Sequence, residues 1–220
     1  MRIPAAVRIF LRTFLLYGLW LSLFAGSAHS AAAAKWVSLF DGKTLKGWEG
    51  DEKVFRVEQG AIVGGNLQQG LPGNQFLCTT HEYKNFKLRA KCKLIGKNAN
   101  GGIQIRSQRV PKSSEMIGYQ ADMDAKWWGN LYEESRRKKV LAGPSPEQRA
   151  KIVHPDDWND YVIVCRGNRV QLWLNGVKTV DYTETDKGAL PKGILGLQIH
   201  AGGPSEAWYK DIEIRELPGK

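Results

Sequence analysis

From residue 36 onward the chain is patterned in twos. Phe86, Leu88, Ala90, Cys92 and Leu94 fall on one side of a run whose other side is Lys87, Arg89, Lys91 and Lys93, the period of a strand with one buried and one solvated face. Shorter runs at 76–80, 103–106, 117–123, 130–134, 160–166, 169–174, 177–182, 193–200 and 208–217 read as further strands. The segments 54–58 and 61–63 form a hairpin across Gln59-Gly60, and Gly167-Asn168 and Asn175-Gly176 turn two more. The opening segment, 36–48, holds a strand, an Asp41-Gly42 turn and a break at Gly47-Trp48. One helix is expected at 146–151, with Ser145 as cap and Pro146 in the first helical position. Short, regularly spaced strands with glycine-rich turns predict an all-β antiparallel sandwich or barrel. Alternation is clean in some strands and muddled in others, which fits two large curved sheets, one of them with a concave polar surface.

At 220 residues the chain is long enough for one domain with a substantial core. The first 30 residues read as a signal peptide: Arg2, Arg8 and Arg12, an apolar run over 13–24, then Gly26-Ser27-Ala28-His29-Ser30 and a string of alanines. Cleavage is expected between about Ala28 and Lys35, giving a secreted or periplasmic protein with no stable membrane span; the alternative is an uncleaved anchor. The net charge of +10 falls to about +7 without that segment. The basic residues are scattered and the leader points to export, so nucleic acid is not the expected partner. Cys78, Cys92 and Cys165 allow at most one internal disulfide, and the phase of Cys92 marks it as core.

The polar sides of the central strands carry the chemistry. Gln104 and Arg106, Gln120 and Asp122, Tyr132 and Glu134, and Gln198 and His200 each stand two residues apart, opposite Ile103, Ile105, Leu131, Leu197 and Ile199. Four strands offering two polar groups apiece predict a lined cleft where the sheet brings them together. Trp127-Trp128-Gly129 joins two of these strands and offers rings for stacking on a sugar.

The ordered set of motifs resembles the 3-keto-disaccharide hydrolase family. It comprises Gly101-Gly102-Ile103-Gln104-Ile105-Arg106, Gly118-Tyr119-Gln120-Ala121-Asp122, Gly129-Asn130-Leu131-Tyr132-Glu133-Glu134, Trp158-Asn159-Asp160-Tyr161, Leu174-Asn175-Gly176 and Gly196-Leu197-Gln198-Ile199-His200. Leu39-Phe40-Asp41-Gly42 and Tyr209-Lys210-Asp211-Ile212 extend the likeness over 36–217. The resemblance implies a jelly-roll sandwich of the concanavalin/laminin-G kind and activity on glycosides already oxidised to a ketone at C3. Family members often carry an acid where Gln120 stands, so a role tied to that acid does not transfer to this chain.

A ketone at C3 acidifies the C2 proton; a base removes it, the C1 substituent leaves, and added water completes a net hydrolysis. His200 is the expected base, with Asp122 orienting it or acting as acid or base, and Glu134 a further acid. Arg106 is expected to steady the enolate oxygen. Gln104, Gln120, Tyr132 and Gln198 are expected to bind hydroxyls, and Trp127 or Trp128 to stack on the ring. A salt bridge from Asp122 to Arg106 is the alternative use of that pair. No cofactor is required; a divalent metal on Asp122, Glu134 and His200 would polarise the ketone equally well, but no ligand spacing points to one. Two other readings use the same residues: a lectin-like module that binds sugar without chemistry, and a glycosidase acting on unoxidised sugar through Asp122 and Glu134.

Overall fold

A computed structural model describes residues 35–219; the expected leader lies outside them. Two antiparallel sheets face one another. The first runs β13 (Val177–Thr183), β12 (Arg169–Leu174), β11 (Asn159–Arg166), β6 (Phe86–Ile95), β15 (Ser205–Glu216), β4 (Ala61–Asn66) and β3 (Phe55–Glu58), with β1 (Val37–Ser38) also paired to β15. The second runs β10 (Lys139–Ala142), β9 (Leu131–Glu134), β8 (Met116–Met123), β7 (Gly101–Arg109), β14 (Gly193–Ile199), β5 (Gln75–Tyr83) and β2 (Trp48–Glu49). The arrangement is a jelly-roll sandwich. The Gln59-Gly60 and Asn175-Gly176 turns both place their two residues at positive φ, the backbone a two-residue hairpin turn requires.

The core is where the alternation puts it. Phe86, Leu88, Tyr161, Ile163 and Tyr209 of the first sheet pack against Ile103, Ile105, Leu131, Leu197 and Ile199 of the second. Two phenols in this layer reach across to the backbone of the opposite sheet. Tyr161 Oη donates to the Asp122 carbonyl and accepts from the Gly129 amide at 2.7 Å. Tyr209 Oη donates to the Gln198 carbonyl and accepts from the Gly102 amide at 3.2 Å. A buried phenol needs such partners, and here they fix the peptide units of β7, β8 and β14 whose outward side chains form the site.

The helix α1 (Pro146–Ile152) starts as its sequence predicts, with the Ser145 side chain accepting from the Gln148 amide. Its buried Arg149 bonds the carbonyls of Trp128 and Pro144 and the Asn130 side chain, so α1 locks the β8–β9 turn in place. The edge strand β10 lacks a clear alternation and was not expected. Cys78, Cys92 and Cys165 are all buried free thiols, with no disulfide among them. No helix among the described residues is long and apolar enough to cross a membrane.

Candidate functional site

Register places the polar side chains in rows across the outer face of the second sheet. Gln198 lies beside Gly102, and Gly102 beside Asp122. In the next row Gly196 neighbours Gln104, Gln104 neighbours Gln120, and Gln120 neighbours Tyr132. Paired residues share a face, so Gln104, Gln120, Asp122, Tyr132 and Gln198 stand together, with Glu134 one step along β9 and His200 just past the end of β14. Neighbouring strands are about 4.8 Å apart, which puts Asp122 and His200 roughly 12 Å apart at Cα, two strands across and two residues along.

The centre of this face is closed to water, while Tyr132, Glu134 and His200 at its rim are half-buried. Gln104 and Gln198 have no exposed surface, and Asp122 retains 7%. Phe76, Cys78 and Met116 pack on the same face, and Gly196 makes room there: a Cβ on it would stand 2.9 Å from the Met116 sulfur. The polar groups are thus sunk among apolar ones, where every unmade hydrogen bond is costly. Gln198 nevertheless has neither its Nε2 nor its Oε1 bonded to any of the described residues.

Burial governs the charges. It pushes the Asp122 carboxyl up to about 8; the hydrogen bond from Gln120 pulls it back, Asp124 and Glu134 add to the rise, and Arg149 opposes it. Glu134 is raised for the same first reason, then by Glu115, with His200 and Lys138 among the groups opposing it. The Tyr132 phenol is raised by burial and by the nearby Glu134 and Asp122. The His200 ring places Nδ1 2.7 Å from the Ala201 carbonyl. A carbonyl only accepts, so Nδ1 is the donor, and in the neutral ring the free lone pair is on Nε2.

Arg106 is not in the site. A bulge between Ile105 and Gln108, with Arg106 at φ +48, breaks the alternation that placed it beside Gln104. Its guanidinium bonds the Lys84 and Gly167 carbonyls and the Asn85 side chain, tying together loops at the sheet edge, and no Asp122–Arg106 pair forms. The same bulge turns Ser107 onto the site face, to the position that simple alternation gives Arg106. Trp128 is also displaced from its expected role: it is buried in the core and stacks on Tyr161 at 5.9 Å. Trp127 is 42% exposed and lines a separate cleft of about 1000 Å³ between the 124–128 turn and α1. Gln104 and Gln120 do face the site, but their amides bond one another, Ser107 and Asp122 rather than standing free for a ligand.

Other residues of the site had no sequence signal. Asn74 accepts from the Ala201 amide and donates to Glu115 at 3.1 Å, clamping the segment that carries His200. Among the described residues, no three His, Cys, Asp or Glu side chains gather as a metal ion would require; Asp122, Glu134 and His200 share a face without converging on a point.

The sandwich and its site place the chain among jelly-roll proteins. It overlays a β-glucanase from Bacillus licheniformis with a TM-score of 0.55 at 8% identity, covering 86% of this chain and 100% of that one. A candidate glycosyl hydrolase from Parabacteroides distasonis overlays with a TM-score of 0.63 at 23% identity, over 83% of this chain and 94% of that one. Residues 35–215 match the family model described as a 3-keto-alpha-glucoside-1,2-lyase-like domain, and the chain belongs to that family. A 3-keto-disaccharide hydrolase of Bacteroides thetaiotaomicron is 35% identical over 85 residues; that match spans 34% of this chain and 28% of the relative.

Proposed function

We propose that this protein is an exported carbohydrate-active enzyme that cleaves 3-keto glycosides by elimination followed by hydration. One observation carries the reading. A carboxyl that burial holds protonated near neutrality stands on β8, and two strands across, at the end of β14, stands an imidazole whose neutral form leaves Nε2 free, with the unpartnered amide of Gln198 on β14 beside it. Membership of the family supports 3-keto glycosides as the substrate class.

In this reading His200 Nε2 takes the C2 proton, which the adjacent ketone has acidified. Electrons of the C2–H bond form the C1–C2 double bond as the C1–O bond breaks, and Asp122, as the acid, gives its proton to the departing oxygen. Water then adds at C1 while the Asp122 carboxylate takes its proton, and the imidazolium returns a proton to C2. The balance is one glycoside and one water in, a 3-keto sugar and an alcohol out. The Gln198 amide binds a sugar hydroxyl or the ketone oxygen, a role its lack of protein partners leaves open to a ligand. Tyr132 and Glu134 line the far side.

Product analysis by NMR with a 3-keto glucoside and its unoxidised parent tests the reaction. Consumption of the keto compound alone is the expected result. Consumption of the parent as well would point to an ordinary glycosidase using Asp122 and Glu134, and binding with no aglycone released would point to a sugar-binding module. Replacing His200 by Ala should lower turnover on the order of 10²- to 10⁴-fold with the fold intact. Export is checked by sequencing the N-terminus of secreted or periplasmic material, expected to start between about Ala28 and Lys35.

A further inference from the structure

We propose that Gln104 and Gln120 are positioning residues that form, with Ser107, a reversible hydrogen-bond wire ending on Asp122, so that this carboxyl can give up and regain a proton with no buried amide left unpaired. The inference rests on Asp122 carrying a proton in the reaction proposed above. Ser107 Oγ donates to Gln104 Oε1 at 2.6 Å, Gln104 Nε2 to Gln120 Oε1 at 2.8 Å, and Gln120 Nε2 to Asp122 Oδ1 at 2.8 Å. All four residues are buried. Each step in this direction points a donor toward the carboxyl, which suits the carboxylate, an acceptor only.

The wire can also run the other way. With the proton on Oδ1, Asp122 donates to Gln120, Gln120 to Gln104 and Gln104 to Ser107, once both amides have turned over about their terminal torsions, which are soft and roughly two-fold. Ser107 then needs an acceptor of its own, and the Ile105 carbonyl lies 3.0 Å from its Oγ. The bulge at 105–108 supplies both the serine and that carbonyl. A Glu in place of either Gln would accept only and would set a second negative charge beside Asp122; an amide donates at one end and accepts at the other. Among the described residues no group bonds Asp122 Oδ2, the oxygen that faces a substrate. A half-turn of the carboxyl, whose terminal torsion is as soft and two-fold as those of the amides, brings the protonated oxygen to that position and the bare, accepting one to Gln120, so the wire reverses as the proton is presented. Asp124, Glu134, Tyr132 and Arg149 are the other ionisable groups near Asp122; none of them bonds its side chain.

The test is a carbon-13 NMR titration of the Asp122 carboxyl, without substrate, in wild type, Gln120→Met and Ser107→Ala, with kcat and KM for a 3-keto glucoside beside it. Charge-assisted hydrogen bonds are the stronger ones, so the broken wire harms the carboxylate more than the acid. The Asp122 midpoint should therefore rise in Gln120→Met and, by less, in Ser107→Ala. In Gln120→Met kcat should fall about 10-fold or more, the worth of a hydrogen bond to a charged group, and in Ser107→Ala by a smaller factor of about 2 to 10, the worth of one between neutral groups, with KM within about two-fold of wild type in both. Ser107→Ala removes one oxygen and decides the matter if Gln120→Met does not fold. An unmoved midpoint in Ser107→Ala, or a rise in KM in place of the fall in kcat, overturns the wire. Shifted midpoints with no turnover of any 3-keto glucoside support the wire and overturn the reaction.

Discussion

On the outer face of the first sheet, Arg89 pairs with Glu213 and lies over the Trp36 ring at 4.5 Å, Lys91 pairs with Asp160 at 2.9 Å, and Lys93 covers Trp208. On the outer face of the second sheet, Gln104, Gln120, Asp122 and Gln198 lie beneath the surface, three of them in one hydrogen-bonded chain and one with no partner. Both faces come from strands that alternate aliphatic with polar. The difference lies in which polar groups alternate. Long cations carry their charge out to water while their stems cover the sheet, so they make a face that is stable and chemically idle. Amides and carboxyls are short; sunk among Phe76, Cys78 and Met116, they must satisfy one another or wait for a ligand. Burial that the first face avoids is what raises Asp122 and leaves Gln198 open.

The largest effect that would break this contrast is at Asp122. Asp122→Asn keeps the size and one acceptor but cannot pass a proton, and turnover should fall on the order of 10²- to 10⁴-fold. Its stability should carry a pH signature as well. An unfolded Asp gives up its proton near 3.8, whereas the native one holds it to about 8. Between those values the native state binds more protons than the unfolded state, so the wild type loses stability as pH rises through this window. The Asn side chain does not titrate, so the variant should gain on the wild type from pH 5 to pH 8.5, as read by urea midpoints. A constant gap would mean that Asp122 is not buried as an acid.

Next in size is Gln198. Replacing it by Leu removes two buried polar atoms that have no protein partner, so the variant should be more stable by about 1–3 kcal/mol. The same change should raise KM for a 3-keto glucoside or weaken sugar binding in a titration. Stability and affinity moving in opposite directions are the mark of a group kept for a ligand. A loss of both would class Gln198 with the structural amides.

Most of the fold was legible because the period of two is a local signal. The strands, the helix with its Ser145 cap and the hairpin turns follow from neighbouring residues alone. The site was legible only where alternation held. Asp122, Tyr132, Gln198 and His200 fall on the expected face, whereas Arg106 and Ser107 exchange places because one extra residue in β7 reverses the phase. No pattern in Ile105-Arg106-Ser107-Gln108 announces that bulge. Trp128 misled for a different reason: an aromatic next to a turn serves a ligand or a core equally well, and its partner Tyr161 is 33 residues away in the chain. Asn74 and Glu115 were invisible, since they meet only through the packing of two loops.

The smallest effect expected is on the idle face. Arg89 and Glu213 form an ion pair whose side chains keep 48% and 30% of their exposure, so water already screens most of their attraction. Exposed pairs contribute about 0–1 kcal/mol. Arg89→Met keeps the stem that covers Trp36 and removes only the charge, so urea stability should change by less than about 1 kcal/mol, and the remaining difference should shrink further in 0.5 M salt. Activity on a 3-keto glucoside should match wild type, because a full sandwich separates Arg89 from Asp122. A large loss of stability would mean that the cation–aromatic stack, not the ion pair, holds the outer face, and Arg89→Lys would then restore part of it. A loss of activity with stability unchanged would erase the division between the two faces, and the site would have to be sought on the first sheet.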